Sequence, residues 1–324
     1  MACKSRIVSA GAGLGGVAAA KHLAGCCISV TLGLMAGPAL AEGLLTPLGP
    51  VAADERAHLI RVTAITMIVV VPVLIGVPLL LWRYRRGRKG IYRPQFEFSA
   101  PLEILMWGVP SLIVIVLGYW LWYSTVKLDP YRPLGTAPLE VQAVGLDWKW
   151  LFVYPNEGVA SVGTLAVPVS RPVEMRLTTD TVMQSFMVPA LAGQVYAMPG
   201  MVTKLNFQAD RPGTVMGENT QFNGVGFAGQ KVVVEALSPT DWQAWMDAAH
   251  RGPTLDAQRY SELARRGTLS DARKALGIAD GPVRLRLADR GLFNQILQRY
   301  RGGEALSGAR QPGAPGYLPK EVQP

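Results

Sequence analysis

Two long apolar runs stand out in the first half of the chain. Residues 62–82 and 104–123 carry no charged side chain. Each run is long enough to cross a hydrocarbon layer of about 30 Å at about 1.5 Å of helix rise per residue. Both runs contain proline, which membrane helices tolerate because neighbouring helices can satisfy the freed carbonyl groups. The pattern predicts a transmembrane hairpin over 62–123.

Beyond a proline-rich linker over 124–138, the pattern changes to short apolar segments separated by turn residues. Six segments are candidate strands: 139–144, 148–154, 164–167, 173–178, 201–209 and 231–237. Their lengths and spacing predict an all-β domain over 139–237, built as an antiparallel sandwich or barrel. The pattern alone permits an immunoglobulin-like sandwich as well as a barrel.

The C-terminal part of the chain is more polar. Residues 238–301 contain several helix-forming segments, and Ser238-Pro239-Thr240-Asp241 has the form of a helix start. We therefore predict a helical extension after the β domain. Residues 302–324 are rich in glycine and proline, and we expect them to form a disordered tail or to lie on a partner.

The N-terminus has the features of an export signal. An apolar stretch over 23–36 precedes Ala39-Leu40-Ala41, which has the small-x-small form that signal peptidase accepts. This predicts a signal peptide over 1–41, followed by a short exported segment over 42–61. A second interpretation is that Leu23-Ala24-Gly25-Cys26 is a lipobox, with Cys26 as a lipidated N-terminus.

Basic residues are concentrated between the two apolar runs. The net charge of +9 includes six basic side chains in the predicted loop over 83–103: Arg83, Arg85, Arg86, Arg88, Lys89 and Arg93. The positive-inside rule places this loop in the cytoplasm, so residues 124–324 lie on the other side of the membrane. The loop is also suited to contact with membrane lipid. Residues 124–237 hold eight basic and nine acidic side chains, a balance that argues against nucleic-acid binding.

The positions of cysteine and histidine exclude a copper centre in the β domain. The whole chain contains only Cys3, Cys26, Cys27, His22, His58 and His250 as residues of these types. Type 1 and binuclear copper centres need thiolate and imidazole ligands. Since none of these side chains lies between residues 124 and 237, neither kind of centre can form there.

Several motifs resemble one membrane-protein family. They are LEILMWGVP at 102–110, LDP at 128–130, LDWKWLFVYP at 146–155, VMQSFMVP at 182–189 and QVYAMPGM at 194–201. Through them, the segment over 44–245 resembles subunit II of haem-copper quinol oxidases, above all the cytochrome bo-type ubiquinol oxidases. The implied fold is a membrane protein with an N-terminal two-helix hairpin, an all-β cupredoxin-like barrel and a small C-terminal helical extension.

The resemblance includes a loop that holds a pair of copper ions in the related cytochrome c oxidases. The positions that match the copper ligands of that family are Gln184, Asn219, Gln221, Asn223, Phe227 and Gln230. Amide and phenyl side chains cannot replace bridging thiolates and imidazoles. The resemblance therefore implies a cupredoxin scaffold without copper, in which the amides can tie the loop together by hydrogen bonds.

The function implied by the resemblance belongs to a complex. Such enzymes oxidise ubiquinol, reduce dioxygen to water and pump protons, and subunit I carries two haems and one copper ion. The chain would be their non-catalytic subunit II in the bacterial inner membrane, with a periplasmic barrel, subunits I, III and IV as partners, no cofactor of its own and no contact with cytochrome c. A second hypothesis is a free-standing, membrane-anchored cupredoxin-like module for binding or assembly.

Glu103 is the residue to which the resemblance assigns a functional role. It lies between the basic loop and the second apolar run, and it matches the glutamate at the mouth of the family's K proton pathway. A carboxylate there can exchange protons with cytoplasmic water and pass them inward. The alternative is a solvated residue at a helix start, stabilised by the helix dipole.

The aromatic residues of the DWKW motif and its continuation also have two interpretations. Trp148, Trp150, Phe152 and Tyr154 alternate along a predicted strand and would then share one face. Large aromatic side chains of this kind commonly fill a barrel core. The alternative is that Trp148 or Trp150 contacts subunit I, and the sequence leaves both interpretations open.

Overall fold

A helical hairpin opens the part of the chain that the computed structural model describes, residues 43–85, 98–278 and 281–301. Its elements are α1 (Pro50–Arg83), the short α2 (Ala100–Glu103), a π-helical turn (Ile104–Gly108) and α3 (Val109–Lys127). Both predicted runs lie in helices that are long and apolar enough to cross a membrane. The predicted signal peptide with Cys26, most of the basic loop and the tail over 302–324 lie outside the described residues.

Three side-chain pairs join α1 and α3 near the β domain. Asp54 and Lys127 form a salt bridge of 2.7 Å, and His58 and Ser124 form a hydrogen bond of 3.0 Å. The guanidinium of Arg61 lies over the ring of Trp120, 5.4 Å from its centroid. The partners recur about one helical turn apart on both helices, so together they fix the register of the hairpin. They also explain why α1 begins at Pro50 instead of at residue 62, since its polar first turns have partners on α3.

The β domain consists of two sheets. Its strands are β1 (Leu139–Leu146), β2 (Lys149–Tyr154), β3 (Val159–Val162), β4 (Thr164–Pro168), β5 (Val173–Thr179), β6 (Gln184–Val188), β7 (Ala192–Ala197), β8 (Thr203–Phe207), β9 (Gly213–Asn219) and β10 (Lys231–Leu237). Together with two later strands, β11 and β12, they form sheets of order β11-β12-β3-β2-β1-β5-β8 and β4-β10-β9-β6-β7. All six predicted segments contain a strand.

The sheets are mixed, whereas the sequence pattern predicted antiparallel pairing. The chain crosses between the sheets, so that β1 pairs with β5 and β10 pairs with β4 in parallel. The four strands that the pattern missed are β3, β6, β7 and β9. Strand β3 is only four residues long, and the other three strands are interrupted by polar side chains. None of the four therefore has a sustained alternation of apolar and polar positions.

Two apolar cores lie on opposite faces of the larger sheet. The first fills the space between the sheets and includes Trp150, Phe152 and Phe186. The second lies between the outer face of β1 to β3 and the C-terminal extension, and includes Leu151 and Phe293. Strands β1 and β2 are therefore covered on both faces, which explains why nearly every residue of theirs is buried.

The extension contains strands as well as helices. Its helices are α4 (Pro239–His250), α5 (Ala257–Ala264), α6 (Leu269–Ala275) and α7 (Leu292–Arg301), and its strands are β11 (Thr254–Leu255) and β12 (Val283–Leu287). The expectation of a purely helical extension is thus incomplete. Strand β12 pairs with β3 and covers an edge of the barrel sheet that would otherwise be open. The predicted start of α4 is confirmed, since Ser238 accepts a hydrogen bond from the backbone of Asp241.

Candidate functional site

The positions that match copper ligands form a buried cluster of amides. We call Gln184, Asn219, Asn223 and Gln230 the amide cluster; their side chains come from β6, the end of β9 and the loop before β10. All four residues are less than a tenth exposed. Burying so many polar groups would be unfavourable unless they were hydrogen-bonded.

Gln230 lies at the centre of the amide cluster. Its Nε2 donates to Gln184 Oε1 at 2.6 Å, and its Oε1 accepts from Asn219 Nδ2 at 3.0 Å and from Asn223 Nδ2 at 2.7 Å. Gln184 Nε2 in turn donates to the carbonyl oxygen of Leu146 at 3.0 Å. The amides therefore bond to one another and connect three separate strands, although Asn223 Oδ1 is buried without a hydrogen-bond partner.

Backbone contacts set the positions of these side chains. Asn219 Oδ1 accepts hydrogen bonds from the backbone N–H groups of Ser185 and Gln221, both at 3.0 Å. Gly145 on β1 makes room for Gln184, because a Cβ at that position would lie 2.9 Å from Gln184 Oε1. These backbone contacts thus hold the amide side chains within hydrogen-bond reach of one another.

The other two matching positions lie at the edge of the amide cluster. Gln221 is half-buried, and Phe227 begins a 3₁₀ turn (Phe227–Gly229) and packs against Phe222 with ring centroids 5.7 Å apart. Across the described residues, no group of three or more His, Cys, Asp or Glu side chains could hold a metal ion. The donor set at this position is made of neutral amides, which are poor ligands for a copper pair.

The structure separates the two tryptophans of the DWKW motif. Trp150 lies on β2 with Phe152 and Tyr154 in the core between the sheets, and it is fully buried. Trp148 precedes the strand, in a turn with φ of +66°, so the prediction that it shares their face is wrong for this residue. Its ring packs on Gly226, where an added Cβ would lie 2.2 Å from Trp148 Cδ2.

Lys149, between these tryptophans, is a buried cation that sequence reasoning missed. Its Nζ donates to the carbonyl oxygens of Arg265 at 2.8 Å and Gly267 at 2.9 Å, and so fastens the α5–α6 connection to β2. Burial lowers the pKa of Lys149 to about 8, although the neighbouring carboxylate of Asp147 opposes the shift. Nothing in the sequence indicated this role, because a lysine in a predicted strand is ordinarily a solvent-exposed residue.

Asp180, after β5, is a second buried charge that the sequence did not reveal. Its carboxylate accepts hydrogen bonds from Tyr260 Oη at 2.6 Å, Tyr300 Oη at 2.9 Å and Arg299 Nη1 at 2.7 Å. Burial raises the pKa of Asp180, and the Arg299 guanidinium acts in the opposite direction. These donors lie on α5 and α7, so Asp180 holds the extension on the barrel four residues before the amide cluster begins.

Glu103 lies apart from the amide cluster, at the end of α2. Glu103 is partly exposed, and its Oε2 accepts a hydrogen bond from Trp107 Nε1 at 3.1 Å. The π-helical turn begins at the next residue. The structure therefore offers two sites of different kinds, a packed amide cluster in the barrel and a carboxylate at one end of the hairpin.

Comparisons with known proteins agree with this arrangement. Residues 158–237 match the family model described as cytochrome c oxidase subunit II, periplasmic domain. The chain is 35% identical to ubiquinol oxidase subunit 2 of Acetobacter aceti, over 94% of this chain and 92% of the relative. The chain belongs to the ubiquinol oxidase subunit 2 family. A relative in Pseudomonas putida, cytochrome bo(3) ubiquinol oxidase subunit 2, is 40% identical over 68% of this chain and 72% of its own length.

One solved structure matches part of this chain. The periplasmic domain of subunit II of cytochrome oxidase of Bradyrhizobium japonicum is 22% identical to this chain, with a TM-score of 0.35, and covers 36% of this chain and 97% of its own length. Family membership confirms the resemblance to quinol oxidase subunits and the cupredoxin-like fold, and removes the immunoglobulin-like alternative.

Proposed function

We propose that the chain is the non-catalytic subunit II of a respiratory ubiquinol oxidase that couples quinol oxidation and dioxygen reduction to proton pumping. The observation that carries this proposal is the buried amide cluster. Its hydrogen-bonded side chains lie at the positions that match the copper ligands of the related cytochrome c oxidase subunits. A quinol delivers electrons from within the bilayer, so the barrel needs no electron relay and serves as a scaffold.

The proposed complex lies in the bacterial inner membrane. Subunit I carries the two haems and the copper ion, and subunits III and IV complete the assembly. The hairpin packs among them, because its long apolar helices are almost entirely exposed in the isolated chain. The basic residues at 83–93 favour a cytoplasmic loop and a periplasmic barrel.

Trp148 is the proposed contact between the barrel and subunit I. Its side chain is partly exposed, yet it is held between the loop at Gly226 and the guanidinium of Arg266, 5.3 Å from its ring. A partly exposed ring that is already fixed in place loses little conformational freedom on binding. Trp150 cannot take this role, because it has no exposed surface.

Purification from the membrane tests the proposal against a free-standing module. We expect the tagged full-length chain, extracted in mild detergent, to co-purify with a haem-bearing subunit and to consume oxygen when ubiquinol is supplied. Purification of the chain alone, with no haem absorbance, would support the membrane-anchored module instead. A Trp148→Ala variant should retain its own fold and recover less haem per chain, whereas Tyr131→Ala, an exposed aromatic of the linker, should recover the wild-type amount.

Glu103 is proposed as the group that receives protons from the cytoplasm. In the assembled oxidase, Glu103→Ala should slow both oxygen reduction and proton uptake, by about tenfold or more if the carboxylate is the main route. Glu140→Ala, which removes a surface carboxylate of the barrel, is the matched control. Unchanged proton uptake in Glu103→Ala would remove Glu103 from the pathway and leave it as a solvated residue at a helix start.

A further inference from the structure

The helix that carries Glu103 is irregular immediately after this residue. Ile104–Gly108 form a π-helical turn between α2 and α3. Pro110 lies shortly beyond it, and proline has no N–H for the carbonyl four residues earlier and would clash with that carbonyl. A wider turn relieves the clash, and such turns are frequent at functional sites.

The π-helical turn places the indole of Trp107 beside the carboxylate of Glu103. Trp107 Nε1 donates to Glu103 Oε2 at 3.1 Å. The ring is 71% exposed, so packing within this chain does little to hold it, and the hydrogen bond is the contact that ties it to the backbone turn. An indole can only donate a hydrogen bond, and it neither accepts nor loses a proton at physiological pH.

We propose that Trp107 is a positioning residue for the carboxylate of Glu103. The inference rests on the proposed role of Glu103 in proton uptake. The indole N–H engages one carboxylate oxygen and thereby fixes the direction in which the other oxygen points. A proton from cytoplasmic water then reaches a carboxylate in one rotamer instead of several, and Trp107 takes no part in the proton transfer itself. Phenylalanine at this position keeps an aromatic ring and loses the donor.

A double-mutant cycle in the assembled oxidase tests this role. The variants are Trp107→Phe, Glu103→Ala and their combination, reconstituted in vesicles, with proton uptake followed by a pH-sensitive dye and the haem content used to count assembled enzyme. We expect Trp107→Phe to slow proton uptake by about threefold to tenfold, which is the effect of one hydrogen bond, and to leave the KM for ubiquinol unchanged. In the Glu103→Ala background, the same change should have no further effect. Trp122→Phe, at the far end of the same helix and 75% exposed, is the matched control.

The outcomes separate this inference from the proposal on which it rests. If Glu103→Ala slows proton uptake and Trp107→Phe does not, Glu103 keeps its role and the positioning role of Trp107 is refuted. An equal loss from Trp107→Phe with and without Glu103 would also refute it, because Trp107 would then act independently of the carboxylate. If Glu103→Ala has no effect, both the proton-uptake role and the positioning role fail. A loss of haem content in Trp107→Phe that accounts for the whole decrease would assign Trp107 to assembly and overturn the inference.

Discussion

At the scale of single residues, the side chain of Gln230 joins the loops of the barrel by hydrogen bonds, at a position that matches a copper ligand of the related cytochrome c oxidases. Gln230 satisfies two asparagine donors and one glutamine acceptor at once, at distances of 2.6 to 3.0 Å. In this buried network every side-chain amide N–H₂ group and every side-chain oxygen except Asn223 Oδ1 takes part in a hydrogen bond, and a donor left without its acceptor there would be costly. Its removal should therefore cost more than the loss of a single bond.

We predict that Gln230→Leu destabilises the chain by about 3 kcal/mol, because buried donors of Asn219 and Asn223 lose their acceptor at about 1–3 kcal/mol each. Denaturant unfolding of the full-length protein in detergent measures the change. Gln221→Leu is the control, since that side chain is partly exposed and only its backbone N–H bonds to the amide cluster. Equal effects of the two substitutions would mean that the network contributes nothing beyond packing.

Lys149 leads to a prediction about pH. Burial lowers its pKa in the folded chain to about 8, below the value of 10.5 for an exposed lysine. Between these values the unfolded chain binds more protons than the folded chain, so the free energy of unfolding increases as pH rises from about 8 towards 10.5. Below pH 8 both states are protonated, and the contribution of Lys149 no longer changes with pH.

Thermal unfolding at pH 7.5 and pH 9.5, each in the same detergent, tests this prediction about Lys149. The wild-type chain should gain stability relative to Lys149→Met as the pH rises. Lys231→Met serves as the control, because Lys231 is a surface residue whose ammonium lies 3.5 Å from Glu218. A pH dependence that is the same in wild type and Lys149→Met would contradict the lowered pKa.

At the scale of elements, the extension is held to the barrel by buried charges as well as by its apolar core. Lys149 binds the α5–α6 connection, and Asp180 binds α5 and α7. Both contacts join segments more than 75 residues apart in the chain. Because the contacts are directional, they fix the orientation of the helices, which apolar packing alone specifies less strictly.

We predict that Arg299→Met loosens α7. The change leaves the fully buried carboxylate of Asp180 without its cation, and breaking a buried ion pair in this way typically costs about 3–5 kcal/mol. Hydrogen–deuterium exchange should become faster in Leu292–Arg301 and remain slow in β10. Arg290→Met, which changes an exposed arginine just before α7, should leave both segments as in wild type. Uniform acceleration over the whole barrel would show that α7 does not unfold as a separate unit.

At the scale of the whole molecule, a barrel of oxidase-subunit type is joined to a membrane hairpin. The barrel has no thiolate or imidazole side chain that could bind a copper pair. We predict that copper ions do not raise the unfolding temperature of the full-length chain, because a ligand stabilises a protein only when it binds the folded state. The measurement is repeated in a His250→Gln variant, since a surface imidazole can bind copper weakly. Saturable stabilisation in both proteins, with the paramagnetic signal of a copper pair, would contradict the amide-cluster interpretation.

The elements that the sequence predicted are those with a strong local pattern. The apolar runs at 62–82 and 104–123 identified both helices of the hairpin, and six apolar segments identified β1, β2, β4, β5, β8 and β10. The start of α4 at Ser238 also followed from local hydrogen bonding. Strands β3, β6, β7 and β9 were missed because they are short or interrupted by polar side chains. Strand β12 alternates apolar and polar residues but lies among helix-forming segments, and its place beside the distant β3 follows only from the fold.

The candidate site also has some features that the sequence determined and others that only the tertiary structure decided. The absence of thiolate and imidazole ligands from residues 124–237 is a property of the sequence, and it alone excluded a copper centre. Tertiary structure decided that the amides bond to one another, that Trp148 leaves the face shared by Trp150 and Phe152, and that Lys149 and Asp180 are buried. Composition fixes which chemistry is possible, whereas pairing, burial and electrostatic environment depend on residues that only the fold brings together.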